Sequence, residues 1–283
     1  MTPPSDMSRR DWLKTATAAG LVSTTGAAAA AIARGPADAD RDRIRIENEK
    51  PGTRDWLNGN VRVDPKTRYR SPGIEGHASR TSLRPGEKLT IHVSTRPASR
   101  FTLDIYRMGY YQGHGARLVE KLGTFAGAPQ PDPPIGPMRL RECAWEPTGA
   151  LTIPDDWTSG VYLGKLRTEG EGLESYVVFV VRDDRQADFL LQVSDNTWNA
   201  YNRWPSQFAL YDDGKKEWYW GPGVQASFDR PYGKYCQIFD VPLSVGSGEW
   251  LLWEFPLAFW MERHGYDVTY ISNIDTHLDP AGL

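Results

Sequence analysis

The densest group of chemically capable side chains in this sequence is a set of aromatic residues between positions 198 and 232. The group consists of Trp198, Tyr201, Trp204, Tyr211, Trp218, Tyr219, Trp220 and Tyr232. A tyrosine whose phenol loses its proton is a hard oxygen donor, and such donors suit Fe(III). Tyrosines and tryptophans also pack in protein cores and interfaces, where they bury large areas. The residue types alone therefore favour packing, with metal ligation by a tyrosine as the alternative.

Other signals of catalysis in the sequence are few. The five histidines form no H-x-H or H-x-x-x-H pair, which argues against a zinc enzyme, and no G-x-S-x-G nucleophile motif is present. Gly113–Arg117 resembles part of a dinucleotide-binding loop but lacks the third glycine, so we interpret it as a hairpin loop. Asp275, His277 and Asp279 alternate, and an extended segment would project them together to bind a metal or relay a proton. A solvated loop at a strand end is the favoured interpretation of that triplet.

Two apolar stretches in the C-terminal part end in polar clusters. Asp188–Val193 and Asp267–Ser272 have the composition of strands, and Pro256–His264 between them has helical character. A strand, a helix and a second strand indicate a parallel βαβ unit, whose continuous apolar strands are covered on both faces. Ligands of such sheets bind at the carboxyl ends of the strands. The polar residues Ser194–Asn196 and Ser272–Asp275 therefore mark a candidate site.

The part of the chain before Asp188 has the alternating pattern of short strands that is typical of an antiparallel β-sandwich. Leu89–Ser94 and Phe101–Tyr106 alternate apolar and polar residues with period two, and turn residues separate these stretches from their neighbours. Val161–Leu166 and Ser175–Val181 are further strands. Five or more short strands at this spacing predict a sandwich with immunoglobulin-like character.

Length and composition limit the function classes. The chain has 283 residues, a net charge of −3 and a mean hydropathy of −0.54, which are ordinary values for a globular protein. This near-neutral balance gives no electrostatic footprint for nucleic acid or an anionic membrane. Cys143 and Cys236 are far apart in the sequence. A disulfide between them stays possible, and we favour two separate buried thiols.

The N-terminus has the layout of an export signal. Ser8–Lys14 reads S-R-R-x-aromatic-L-K, a weakly apolar, alanine-rich run follows from Thr15 to Ala33, and Ala37–Ala39 is a cleavage candidate. The paired arginines make this segment resemble a bacterial twin-arginine signal, which implies export to the periplasm or the extracellular space. Because threonine, serine and glycine interrupt the apolar run, we expect no membrane span in the mature chain.

These patterns divide the chain into four segments. They are a twin-arginine-type signal peptide at 1–39, an extended lead-in at 40–77, a β-sandwich domain at 78–185 and the start of a catalytic-type α/β domain at 186–283. The predicted fold class is mixed β and α/β: an immunoglobulin-like antiparallel β-sandwich followed by an incomplete parallel α/β domain. A parallel sheet needs several strands to cover its faces, and only two are visible here. We therefore expect the α/β domain to be truncated and the chain to be a fragment.

Seven short segments occur in order along residues 70–283 and carry a resemblance. They are Ile74–Ser79, Thr102–Tyr111, Gly115–Val119, Asn196–Asn202, Phe228–Tyr232, Trp253–Pro256 and Gly265–Tyr270. As an ordered set, they resemble the family named for the large (β) subunit of N,N-dimethylformamidase, in its N-terminal part and the start of its C-terminal domain.

The resemblance implies an iron centre. The amidohydrolase of this family holds one iron with two tyrosines and a glutamate, and Tyr201 in the W-N-A-Y-N motif and Tyr232 in the R-P-Y motif match the two tyrosines. The family's glutamate belongs to a His-Asp-Glu-Tyr-Trp-like motif that this sequence does not contain. Two tyrosinates without a carboxylate make an underfilled site, so the resemblance predicts weak iron binding for this chain. No residue is assigned a catalytic role.

The function implied by the resemblance is that of an exported, iron-dependent hydrolase of C–N bonds in small amides. The iron would act as a Lewis acid and lower the pKa of a bound water. A small amide substrate, and a small partner subunit or a homo-oligomer, are the implied partners. The alternative is a non-catalytic secreted sandwich that binds a ligand, or a degenerate family member. A carbohydrate-processing function rests only on exposed aromatic residues, without a defensible pair of carboxylates.

Overall fold

A computed structural model describes residues 41–215, 224–235 and 240–279 of the chain. The predicted signal peptide at 1–39 lies outside the described residues, as do Trp218, Tyr219, Trp220 and Cys236. The strands are β1 (Glu75–Ala78), β2 (Ser82–Leu83), β3 (Lys88–Ser94), β4 (Ser99–Met108), β5 (Ala116–Gly127), β6 (Gly149–Thr152), β7 (Gly160–Thr168), β8 (Glu174–Val181), β9 (Phe189–Val193) and β10 (Val268–Ser272). The helices are α1 (Arg43–Glu49), α2 (Asp195–Tyr201), α3 (Trp250–Trp253), α4 (Phe255–Arg263) and α5 (Asn273–Leu278).

Two sheets form the sandwich. One has five strands in the order β2-β8-β7-β4-β5, and the other has three in the order β1-β3-β6. All pairings are antiparallel except that of β2 with β8. Alternate residues of β4, from Phe101 to Ile105, pack with Ile91 and Val93 of β3 in the core between the sheets. The predicted mixed β and α/β class is therefore confirmed.

The outer face of the five-stranded sheet is covered as well. Tyr106, Leu163 and Val178 point away from the first core into a second hydrophobic cluster. That cluster also contains Trp198 and Trp250, which come from the helices that follow the sandwich in the sequence. Because β8 lies between the two cores, each of its eight residues is buried. The sheet is thus the layer on which the α/β elements rest.

The predicted strand–helix–strand unit is present after the sandwich. β9 and β10 pair in parallel, with Phe189 opposite Val268 and Val193 opposite Ser272, and α4 lies between them in the sequence. The expectation that both faces of β9 are covered is wrong within the described residues. Val193 lies in the core, but Phe189 and Leu190 are 46% and 45% exposed. The reason is that, among the described residues, β9 pairs with β10 alone and contributes Leu191 and Val193 to the second hydrophobic cluster.

The lead-in predicted as extended contains the helix α1. Its sequence is largely polar, but Ile44 has no exposed surface and Glu47 is 1% exposed. Lys165 of β7 holds the following loop, because its Nζ donates to the carbonyls of Asp55 and Leu57 at 2.9 and 2.7 Å. This segment is therefore part of the core structure rather than a simple tether.

A buried ion pair joins the sandwich to α4. Arg107 of β4 donates from Nη2 to Glu262 Oε1 at 2.9 Å and from Nη1 to Oε2 at 3.1 Å, and both side chains are fully buried. Asn48 of α1 and Tyr270 of β10 also donate to the Glu262 carboxylate, at 2.9 and 2.8 Å. Four elements thus meet at one carboxylate whose charge is compensated.

Of the helices in the described part of the chain, none has the length and apolar character needed to cross a membrane.

Candidate active site

The two tyrosines singled out in the sequence line one small cavity of about 10 Å³. Tyr201 is the last residue of α2, and Tyr232 lies in the irregular segment 224–235. The carboxylate residue Glu249, which directly precedes α3 and is 6% exposed, lines the same cavity. The structure therefore brings together two phenols and a carboxylate from three separate parts of the chain.

Asn202 ties the chain around one tyrosine to the chain around the other. It directly follows Tyr201, its Nδ2 donates to the carbonyl of Pro231 at 2.9 Å, and its Oδ1 accepts from the amide of Gly233 at 3.0 Å. These two residues flank Tyr232. Because a buried amide with several partners has one allowed position, the relative placement of Tyr201 and Tyr232 is fixed.

Arg230 forms a second set of hydrogen bonds between the segment that contains Tyr232 and the segment around Tyr201. Its guanidinium donates to the carbonyls of Asn199, Trp204 and Phe208 at 3.2, 2.9 and 3.1 Å. Burial lowers the pKa of Arg230 to about 10, because its partners are neutral carbonyl and amide oxygens instead of a carboxylate. The R-P-Y motif thus uses its arginine to hold its tyrosine against α2.

The hydroxyl of Tyr232 is buried and has no hydrogen-bond partner among the described residues. Its ring packs edge-on against Trp198, with 6.4 Å between the centroids. Burial raises the pKa of Tyr232 well above its usual value, and the negative charges of Asp195, Glu249 and Glu254 raise it further. A buried hydroxyl without a partner costs about 1–3 kcal/mol of stability, so a hydrogen bond or a metal bond to the Tyr232 oxygen would be favourable.

Tyr201 has a more open setting. Its side chain is half-buried, and its ring lies against that of Tyr211 with 4.7 Å between the centroids. Burial raises its pKa, and Tyr211 and Glu249 raise it further. Trp204 of the same aromatic group is fully buried and packs with Trp145, so packing is the role of that member.

Glu249 belongs to no motif among the candidates found in the sequence. The residue stands between Gly248, which has a φ of 61°, and Trp250, which is buried in the core. Gly248 lies against the Trp198 ring, where a Cβ would come within 2.8 Å of it. This close approach needs glycine and turns the chain so that Glu249 reaches the cavity. In the sequence, the G-x-G motif of residues 246–248 is the one signal that indicates such a turn.

The polar clusters at the ends of β9 and β10 meet as predicted. Asp195 Oδ1 accepts from the backbone amide of Asn273 at 2.6 Å. The second oxygen of Asp195 is buried without a hydrogen-bond partner in the described residues. Burial raises the pKa of Asp195 to about 6, and the charge of Asp275 acts in the same direction. The carboxyl end of the parallel pair thus holds a desolvated carboxylate.

The triplet of Asp275, His277 and Asp279 does not converge. An extended segment would have aligned the three side chains, but residues 273–278 form α5, which starts with a capping box between Ser272 and Asp275. Asp275 lies 3.3 Å from Arg182, Asp279 lies 3.0 Å from Arg84, and His277 is exposed. The three side chains therefore have separate partners or face solvent.

The remaining candidates have structural roles. Gly113–Arg117 belongs to the hairpin between β4 and β5, as interpreted from the sequence. Cys143 is a free thiol buried beside Trp145 and Trp204. Counting only His, Cys, Asp and Glu side chains of the described residues, no group of three or more is arranged to hold a metal ion.

Comparison with known proteins gives one extended match. A family model described as "N,N-dimethylformamidase beta subunit-like, C-terminal" matches residues 102–283, which is more than half of the chain. The matched stretch includes Tyr201, Tyr232 and Glu249. No curated protein matches the sequence.

Solved structures show only distant similarity. A DNA glycosylase from Pseudomonas fluorescens, AlkC, is 16% identical, with 40% of this chain and 31% of that chain covered. A lytic polysaccharide monooxygenase from Streptomyces lividans is 16% identical, with 36% and 57% covered. A polysaccharide monooxygenase from M. thermophila is 15% identical, with 47% and 66% covered. The TM-score is 0.24 in each case, so these similarities indicate nothing about function.

Proposed function

The chain belongs to the N,N-dimethylformamidase beta subunit-like, C-terminal family, and from this membership we propose that it serves the iron-dependent hydrolysis of C–N bonds in small amides. The observation that carries the proposal is the buried Tyr232 hydroxyl, which lacks a partner in a cavity shared with Tyr201 and Glu249. Two phenols and a carboxylate form a donor set of hard oxygens, which matches Fe(III).

The electrostatics of the cavity favour a cation. Burial and nearby carboxylates raise the pKa of both tyrosines, so neither phenolate is stable there by itself. A bound trivalent ion would reverse that balance and draw both phenols into the ionised form. Glu249 would supply a third oxygen. It stands outside the family's glutamate motif, but its presence gives a reason to expect stronger iron binding than the two tyrosines alone predict.

The chain's own residues would position the ion and shield it. When bound, the iron would supply Lewis acidity toward the amide and a nucleophilic water. Asn202 and Arg230 would hold Tyr201 and Tyr232 at a fixed separation through the contacts described above. Trp198 and Trp250, 3% and 1% exposed, would exclude water from the Tyr232 side.

Iron content and an optical signature test this proposal. The full chain loaded with Fe(III) is expected to hold about one iron and to show a visible phenolate-to-iron absorption band. Tyr232→Phe and Tyr201→Phe should each lower the iron affinity by about 10-fold or more and weaken the band. Tyr110→Phe is the matched control, because Tyr110 is half-buried against Phe259, outside the cavity, and should change neither.

Activity distinguishes the enzyme from the binding-module alternative. Formamide and N,N-dimethylformamide are the amides to assay, with release of the amine as the readout. Turnover that falls in both tyrosine variants supports the hydrolase. Iron content and turnover that are unchanged in both variants would show that the two tyrosines are not ligands. A chain without iron or turnover would favour a non-catalytic module.

We further propose that the chain is exported by the twin-arginine route and works in the periplasm or outside the cell. The support is the S-R-R-x-aromatic-L-K segment ahead of the alanine-rich run. Replacing both Arg9 and Arg10 with lysine should retain the protein in the cytoplasm, as measured by cell fractionation. Export of that variant at the unchanged level would contradict the route.

We also propose that the chain assembles with a small partner subunit or with further copies of itself. This proposal rests on the family description, which names a beta subunit. Light scattering of the native protein purified from its own cells should show a mass above that of one 31.8 kDa chain. A mass equal to a single chain would contradict the proposal.

A further inference from the structure

A polar groove of about 460 Å³ lies on the outer face of the five-stranded sheet, and its floor is separate from the tyrosine cavity. Thr102, Asp104 and Tyr106 of β4 form the floor, and Lys121 of β5 lies beside them. The loop of residues 54–57 forms a wall. The volume falls within the range of about 300–1,000 Å³ that is typical of small-molecule sites.

The floor of the groove is shaped by two irregularities in the pairing of β4 with β5. The register shifts between Leu103 and Asp104 and again between Ile105 and Tyr106. After these shifts, Asp104 lies opposite Lys121 and Tyr106 lies opposite Leu118, and all four residues line the groove. Bulges of this kind redirect side chains and are frequent beside functional sites.

The wall is held by Lys165, whose charge, like those of Arg167 and Glu174, is already paired within the protein. Lys165 donates to the two wall carbonyls, and its Nζ lies 3.0 Å from Glu174 Oε1. Arg167 lies 3.6 Å from the same carboxylate oxygen. These three side chains therefore stabilise the groove and leave little charge for a ligand.

Five other charged or phenolic side chains that line the groove make no hydrogen bond or ion pair within the described residues. They are the two carboxylates of Asp55 and Asp104, the cations of Arg54 and Lys121, and the Tyr106 hydroxyl. Tyr106 is 3% exposed, so its ring is buried in the core while its hydroxyl borders the groove. Asp104 is half-buried, and this burial raises its pKa despite Lys121 and Lys165 nearby. A carboxylate and a phenol that are both partly desolvated and unpaired would gain from hydrogen-bond donors of a ligand.

The signs of these charges select the ligand. We propose that the groove binds a small zwitterion of the amino acid or short-peptide class, whose ammonium group pairs with Asp104 and the Tyr106 hydroxyl and whose carboxylate pairs with Lys121 and Arg54. A simple anion would leave Asp104 unpaired, and a simple amine would leave the two cations unpaired. A sugar would find no exposed aromatic face, because the Tyr106 ring is buried.

Calorimetric titration of the full chain with triglycine tests the proposal. The expected dissociation constant is about 1 mM, in keeping with few ligand atoms and an open site. Acetylated triglycine, which lacks the ammonium group, and triglycine amide, which lacks the carboxylate, should each bind about 10-fold more weakly or not at all. Cellobiose is the neutral polyol for comparison and should not bind.

Substitutions locate the binding in the groove. Asp104→Asn should weaken triglycine binding about 10-fold, and Tyr106→Phe should weaken it by a smaller factor. Asp156→Asn changes an exposed aspartate outside the groove and should leave the affinity unchanged. Thermal unfolding of each variant checks that it is folded.

Three results would overturn the proposal. They are the absence of saturable triglycine binding, an affinity for either blocked peptide equal to that for triglycine, and an unchanged affinity in a folded Asp104→Asn protein. Tighter binding of cellobiose than of triglycine would likewise refute it. None of these outcomes bears on iron binding, because the groove proposal does not depend on the tyrosine cavity.

Discussion

Asn202 holds the backbone on both sides of Tyr232. Its Nδ2 donates to Pro231, its Oδ1 accepts from Gly233, and the same oxygen accepts from the amide of Trp204 at 3.1 Å. Asn202, which carries no reactive group, thus sets the position of Tyr232 relative to Tyr201.

Removal of this amide should cost stability. Asn202→Ala leaves two buried backbone amides and one carbonyl without their partner, so we expect a loss of about 2–4 kcal/mol in the free energy of unfolding. Urea denaturation measures the loss. Asn60→Ala is the control, because the Asn60 amide makes its two hydrogen bonds at an exposed site and should cost less than about 1 kcal/mol. Equal losses in the two variants would show that Asn202 does not have this role.

Asp195 should make the protein less stable as the pH rises. Burial raises its pKa to about 6 in the folded state, while the unfolded chain has a value near 4. Between these two values the folded state binds the extra proton, so stability falls from about pH 4 to pH 6 and then stays level. Asp195→Asn should remove this fall and raise the stability at pH 7 by about 1–3 kcal/mol. Denaturation midpoints at a series of pH values provide the measurement, and Asp156→Asn at an exposed site should keep the fall.

His77 should produce the opposite dependence on pH. It stacks on His92 with 4.9 Å between the ring centroids, and its Nδ1 is buried without a hydrogen-bond partner in the described residues. Burial lowers the pKa of His77 to about 3, and His92 adds to this effect. Because the unfolded value is near 6.5, stability is complete above that pH and is lost as the pH falls toward 3, by up to about 4 kcal/mol.

His77→Phe keeps a stacking ring and removes the titration, so we expect its acid unfolding to begin at a lower pH than in the wild-type protein. Circular dichroism during acid titration follows this transition. His277→Phe at an exposed position serves as the control. An unchanged acid midpoint in His77→Phe would mean that other groups govern acid unfolding.

The Arg107–Glu262 pair should be sensitive to loss of one charge. Glu262→Gln removes the carboxylate that is paired with the fully buried Arg107, and we expect a loss of about 3–5 kcal/mol. Glu169→Gln removes one partner of an exposed pair with Arg100, at 3.1 Å, and should cost about 0–1 kcal/mol. Guanidinium denaturation compares the two variants. Similar small losses would mean that water or other groups compensate the Arg107 charge.

Local signals in the sequence were sufficient for the β-sandwich and the parallel pair. β3 and the first part of β4 alternate with period two, and β9 is a short apolar run followed by polar residues. These signals lie within a few neighbouring residues. The meeting of Asp195 with Asn273 followed from the rule that carboxyl ends of parallel strands share an edge.

Other features depend on distant contacts and could not be predicted in this way. Of the two apolar residues of the helix α1, Ile44 is buried and Ile46 is exposed, so its own periodicity is too weak to detect, and contacts with the rest of the protein stabilise it. Glu249 reaches the tyrosine cavity because Gly248 approaches Trp198, 50 residues earlier in the chain. The helix α5 is a different case. The spacing of Ser272 and Asp275 is that of a capping box, and this signal could have identified the helix.

The bond between Asn48 and Glu262 has a consequence for how the chain acquires its structure. The two residues are 214 positions apart, and Glu47 bonds to Thr158 across 111 positions. Contacts of such high sequence separation slow folding, because a large part of the chain must be ordered before they can form. During synthesis, the helix α1 cannot find its final partner until Glu262 has emerged from the ribosome. The segment around α1 is therefore made early and completed late.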